Sequence, residues 1–317
     1  LFLLFKKDIK RHPFLQGMWI YFFITFVQIM YNLFWFHRKS LSFMKREIWD
    51  YTRENKKYKM TVYTNGSNTD KCIVFISGSF QLTMHAYIKK VLYDLYCCHR
   101  NLFHEYECIV MEQLDEPSIT TYKDVAMYIR ERYKERQWKE IVLLGFSAGG
   151  VVASHIAHDI RDLACLKKII TYDTPYEIMN TVARFQRNWF YRLDCLFFLI
   201  AYCVYLDHWN YQEIQDKMRH FTYGCATELF EMVQRIHSIN EAELYRLSTF
   251  HMDQEETTKM IHIYVENDPI VYKDTYIYDE TKKDKRKIHI KKGTIGHCSD
   301  MAWSRRYLLE LVEELRL

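Results

Sequence analysis

Glu140-Ile141-Val142-Leu143-Leu144-Gly145-Phe146-Ser147-Ala148-Gly149-Gly150 is the stretch on which the reading of this chain turns. The aliphatic run Ile141 to Leu144 predicts a strand buried on both faces. A helix is expected directly behind it, over 148–160. Between the two stands the pattern Gly-x-Ser-x-Gly, which nine glycines and twelve serines in 317 residues would produce by chance only about 0.01 times. A tight strand-to-helix turn lifts a serine hydroxyl clear of the backbone, and small flanking residues let the chain make that turn. The helix beyond then offers unsatisfied amides to a developing negative charge. Ser147 is therefore the candidate nucleophile, set against the plainer reading of a glycine-rich turn that only packs helix on strand.

Outward from this stretch the chain alternates strand and helix. Strands are expected at Tyr58 to Tyr63, Cys72 to Ile76, Glu107 to Met111, Lys168 to Tyr172, Met260 to Val265 and Lys287 to Ile290. Helices are expected at 83–98, 121–136 and 299–315, and residues 38–58 read as a charged connector. The alternation predicts an α/β fold, with a mostly parallel central sheet covered by helices on both faces. Residues 179–258 break the rhythm: they are rich in Trp, Tyr, Phe and charge, and read as a helical cap insertion. The expected organisation is an N-terminal segment (1–57), a first part of the core (58–178), the cap (179–258) and a closing part of the core (259–317).

Two further positions stand where strands end. Asp268, in Glu266-Asn267-Asp268-Pro269, follows one strand, and His297, in Gly296-His297-Cys298, follows the next. Both are expected at the carboxyl edge of the sheet, where α/β proteins bind their ligands. Asp173, in Tyr172-Asp173-Thr174-Pro175, also ends a strand and stays open as an alternative acid. His155, His158 and His262 lie away from a strand's carboxyl end and read as ordinary core or surface residues.

The elbow at Ser147, with Asp268 and His297 following in that order, resembles the α/β-hydrolase superfamily over about residues 58–315. The resemblance implies a catalytic triad in which His297 takes the Ser147 proton and Asp268 orients and stabilises the imidazolium. It also implies an oxyanion hole made by the backbone amides of Ser79 and Ala148, because Ser77-Gly78-Ser79 occupies the place of the family's His-Gly-X loop. Ser77 departs from that pattern, which removes a packing group but no catalytic proton donor. Some lipases of the family carry the acid after the earlier strand, at the place of Asp173.

Composition bounds the rest. The chain is 49% hydrophobic and 26% charged with a net charge of +4, too balanced for a dedicated nucleic-acid binder and too apolar for disorder. A mean hydropathy of −0.30 excludes a polytopic membrane protein. Residues 14–36 carry no charge, have aromatic residues near both ends and are flanked by Lys and Arg. As a helix they would be long enough to cross a bilayer. Thr25, Gln28 and Asn32 share one helical face, so an in-plane amphipathic helix or one docked on protein stays open beside a spanning anchor. The odd count of nine cysteines, most within apolar runs, reads as reduced thiols in an intracellular compartment. No metal-site or nucleotide motif is present, and no cofactor is expected.

Two readings of function follow. The first is a membrane-associated serine esterase, lipase-like, cleaving an acyl ester through an acyl-enzyme, with transfer to an alcohol or thiol acceptor as a variant. The apolar cap segment Cys195 to Leu206 and the 14–36 stretch favour a lipid ester, and the basic run Lys282 to Lys287 reads either as a solvated loop or as a patch attracted to anionic headgroups. The alternative is a catalytically silent hydrolase-like subunit bound to membrane-protein partners.

Overall fold

The computed structural model describes residues 41–76, 81–112, 122–178, 181, 240–251, 259–268, 271, 287–295 and 307–316. Eight strands form one sheet: β1 (Lys45–Arg53), β2 (Lys56–Thr64), β3 (Lys71–Ile76), β4 (Glu107–Glu112), β5 (Glu140–Phe146), β6 (Leu166–Tyr172), β7 (Met260–Asn267) and β8 (Lys287–Ile295). Among the described residues six helices accompany them: α1 (Gln81–Cys98), α2 (Arg100–Glu105), α3 (Tyr122–Arg136), α4 (Ala148–Asp159), α5 (Glu241–Ser248) and α6 (Tyr307–Arg316). The strand order is β1-β2-β4-β3-β5-β6-β7-β8. Only the β1–β2 and β2–β4 pairs are antiparallel; from β4 to β8 the sheet is parallel.

The parallel strands separate their side chains by alternation. Cys72, Val74, Ile76, Ile141 and Leu143 join one apolar cluster with residues of α3, α4 and α5. Ile73, Phe75, Val142, Leu144 and Phe146 join the other, with α1, α2 and α6. Strands covered on both faces favour apolar residues, which is why they appear as largely apolar runs, broken by the buried Glu107, Thr171 and His262. Each Ile, Leu or Val removed from water in these layers contributes about 1.5–3 kcal/mol.

Residues 38–58, read from sequence as a connector, contain the edge strand β1, so the sheet begins at Lys45. The β1–β2 hairpin turns through Glu54 and Asn55, both at positive φ (50° and 64°), the geometry a two-residue turn requires. Asp124 of α3, fully buried, then fastens β1 by accepting from Tyr51 Oη (3.0 Å) and Arg53 Nη1 (2.7 Å).

The segment that leads back toward β7 packs on the core. Asn240 caps α5 by accepting from the Glu243 amide (2.8 Å), and Leu244 and Leu247 are buried among residues of α4. The outgoing and returning stems meet in an antiparallel bridge, Glu177 with Thr249, reinforced by Phe250 N–H donating to the Tyr176 carbonyl (2.8 Å). The remainder of the expected cap, Thr181 apart, lies outside the described residues, as does the 14–36 stretch. No helix among the described residues is long and apolar enough to cross a membrane.

Candidate active site

At the carboxyl end of β5 the chain reverses into α4 through Ser147, at φ 52°, ψ −129°. That conformation is strained for any residue with a side chain, and it persists only when neighbours over-determine it. Ser147 N–H donates to the Tyr172 carbonyl of β6 (2.8 Å), and the Ser147 carbonyl accepts from Gly150 N–H (3.0 Å) and Thr174 Oγ1 (2.9 Å). Ser147 is half-buried, and its side chain makes no capping hydrogen bond to α4.

The glycines are required by contact. A Cβ on Gly145 would lie 2.5 Å from the Gly149 carbonyl oxygen and from the Gly150 Cα, and one on Gly150 would lie 2.0 Å from Thr174 Oγ1. Gly145→Ala meets backbone that no side-chain rotation can clear. It is expected to destabilise the protein by about 1–3 kcal/mol, read as a lower urea midpoint. A midpoint equal to wild type would show that the elbow has room the structure does not give it.

Asp268 follows β7 directly and is buried, at 5% exposure. Its N–H donates to the Val265 carbonyl (3.1 Å), and its Oδ1 accepts from Val271 N–H (3.0 Å). Asp173 follows β6 and is fully buried at φ 47°. Its N–H donates to the Ile263 carbonyl (2.8 Å), and its Oδ1 accepts from Val265 N–H (2.7 Å). Ser147, Asp173 and Asp268 thus stand beyond the carboxyl ends of the adjacent strands β5, β6 and β7. The register adds two chain positions to this edge. Ile76, the last residue of β3, pairs with Gly145, and Ile295, the last of β8, pairs with Asn267. Ser77 to Ser79 and His297 follow those two ends in sequence; all of them lie outside the described residues.

His262 is fully buried within β7, its Nδ1 2.6 Å from Thr171 Oγ1. His155 is buried on α4, its Nε2 3.0 Å from the Thr249 carbonyl oxygen. Among the described residues no cluster of His, Cys, Asp and Glu is arranged to hold a metal ion. Thr174 was not singled out in the sequence. Its signal there is faint: a small hydroxyl residue at a strand end, whose need for Gly150 is visible only in three dimensions.

No protein-family model and no curated protein matches this sequence. Solved structures do match. A provisionally named aryl esterase from Burkholderia cenocepacia aligns with 85% of this chain and 98% of its own, at TM-score 0.51 and 15% identity. A serine hydrolase from Cycloclasticus zankles aligns with 86% of this chain and 98% of its own, at TM-score 0.50 and 11% identity. A provisionally named esterase from Staphylococcus aureus aligns with 92% of this chain and 90% of its own, at TM-score 0.51 and 10% identity. The sheet order, the elbow and these likenesses together give the class: the chain has the α/β-hydrolase fold.

Proposed function

We propose that this protein is a serine hydrolase that cleaves an acyl ester through an acyl-enzyme on Ser147, with His297 as general base and Asp268 as its orienting acid. The observation that carries the reading is the strained backbone of Ser147, held from both β6 and α4 at the carboxyl edge of a parallel sheet. Backbone strain of this kind clusters at functional sites. A turn that merely joined strand to helix would need none of it. The neighbours in fold are named as esterases and a serine hydrolase, which supports the same chemistry.

In this mechanism His297 removes the Ser147 proton as Oγ attacks the ester carbonyl. The amides of Ala148 and Ser79 receive the oxyanion, each such donor contributing roughly 3 kcal/mol in the transition state. His297 then protonates the departing alkoxide, and water, activated by the same imidazole, releases the acid. Asp268 stabilises the imidazolium throughout. The proposed substrate is a lipid ester and the proposed location an intracellular membrane surface, supported by the uncharged stretch 14–36, the apolar segment Cys195 to Leu206 and the basic run Lys282 to Lys287.

The test is covalent labelling with a fluorophosphonate probe in detergent, followed by mapping of the modified peptide. The expected result is stoichiometric modification at Ser147. A folded protein that takes no label would sink the enzymatic reading and direct attention to a silent subunit with membrane-protein partners.

A further inference from the structure

Residues Tyr172, Asp173 and Thr174 touch both halves of the site at once. Tyr172 and Thr174 hold the nucleophile's backbone: the Tyr172 carbonyl accepts the Ser147 amide, and Thr174 Oγ1 donates to the Ser147 carbonyl. Asp173, between them, faces the other way. Its amide donates to the Ile263 carbonyl and its carboxylate accepts from the Val265 amide, so these two hydrogen bonds grip the end of β7. Val265 in turn accepts the Asp268 amide through its carbonyl. A single chain of hydrogen bonds therefore runs from the Ser147 backbone through three consecutive residues to Asp268.

We propose that Asp173 is a positioning residue for the triad, fixing the end of β7 so that Asp268 keeps its place relative to Ser147. The proposal rests on the reading of Ser147 and Asp268 given above. Its physical basis is threefold. A fully buried carboxylate is tolerated only where it is hydrogen-bonded, and here an acceptor is spent on the peptide group three residues before Asp268. The residue holds a left-handed backbone (φ 47°), which Asn, Asp and Gly adopt most readily. Finally, geometric error in a catalytic group is expensive: a misplacement of about 1 Å can lower the rate about 100-fold.

This role separates cleanly from that of the alternative acid. Asp173→Gly removes the carboxylate while retaining a residue at ease at positive φ, so loss of the side chain is read without backbone strain. It is expected to lower kcat about 100-fold with KM within about twofold. Asp173→Asn keeps an oxygen acceptor for the Val265 amide and tolerates the same φ, so it is expected to return to within about fivefold of wild type. Were Asp173 the triad acid, the Asn variant would lose about 10⁴-fold, as other triads do when the acid becomes an amide. That result, or a Gly variant as fast as wild type, overturns the proposal. Hydrogen exchange at the Val265 and Asp268 amides supplies a readout that needs no activity. Exchange is expected to be faster in Asp173→Gly than in wild type and restored in Asp173→Asn. Unchanged exchange in the Gly variant overturns the positioning role, whereas altered exchange in a protein that takes no fluorophosphonate retains the brace and removes only the enzymatic reading.

Discussion

Ser147→Ala, Asp268→Asn and His297→Ala are each expected to lower kcat on a short-chain p-nitrophenyl ester by about 10⁴–10⁶, with KM and thermal midpoint close to wild type. The size follows from the roles proposed for the three groups. Without Ser147 no acyl-enzyme forms; without His297 the hydroxyl keeps its proton; and with Asn at 268 the imidazole is held in the wrong tautomer. Stability should be nearly untouched in the Asn variant, because an amide oxygen at that place still accepts the Val271 N–H that Asp268 Oδ1 accepts now. Because the groups work as a unit, Ser147→Ala combined with His297→Ala should be no slower than either change alone. An Asp268→Asn enzyme within tenfold of wild type would remove Asp268 as the acid and leave Asp173 as the candidate to test.

The parts of this molecule that could be read from sequence are those where neighbours in the chain carry the physics. The β5 strand announces itself because a strand buried on both faces favours apolar residues, and Ile141 to Leu144 are all aliphatic. The elbow does so because its glycines fall within six residues of one another, and the contact that Gly145 avoids is with its own turn, whereas the one that Gly150 avoids, with Thr174, is not written locally. Asp268 was legible for a similar reason, as the first residue after a strand. The edge strand β1 was not. Lys45, Arg46, Glu47 and Asp50 are exposed and Ile48 is 51% exposed; only Tyr51 is buried, with Trp49 packed beside it on the core, too short a face to imprint an alternating pattern. Its hairpin also turns through Glu54-Asn55 rather than a glycine pair, so the usual turn signal is missing. The helix α2 was hidden by proximity, with His99 alone separating it from α1. The brace at Asp173 was invisible for a deeper reason. Its partner, the Val265 amide, is 92 residues away, and a backbone amide leaves no trace in a sequence.

Lowering the pH from 7.5 to about 4 is expected to remove about 3 kcal/mol of stability through His155 alone. The ring is buried on α4, with the Thr249 carbonyl at its Nε2, the Tyr122 ring of α3 at 5.3 Å and the His251 ring at 5.7 Å. Burial pushes its pKa down to about 4; the Thr249 carbonyl pulls upward, and the charges of His251 and of Arg246 on α5 push down again. Glu243, beside Arg246, is the acidic group facing this cluster, and its own pKa is lowered chiefly by its hydrogen bond to Arg246. The folded-state value lies below the ordinary histidine value of about 6.5, so the unfolded chain binds the proton more tightly. Stability from this group is therefore complete above about pH 6.5, falls as the pH drops, and is gone below about 4. His155→Gln keeps a nitrogen donor for the Thr249 carbonyl and does not titrate. Urea midpoints across this range should fall more steeply for wild type than for the variant, by the same roughly 3 kcal/mol. Parallel profiles would show that the ring does not stay neutral in the folded protein. The consequence reaches the site through α4. The helix that presents the Ala148 amide at its start is clamped two turns later to Thr249, where the insertion rejoins the core. Acid that charges His155 places a buried cation beside His251 and Arg246, so the packing of this stem on α4 is expected to weaken as the pH falls.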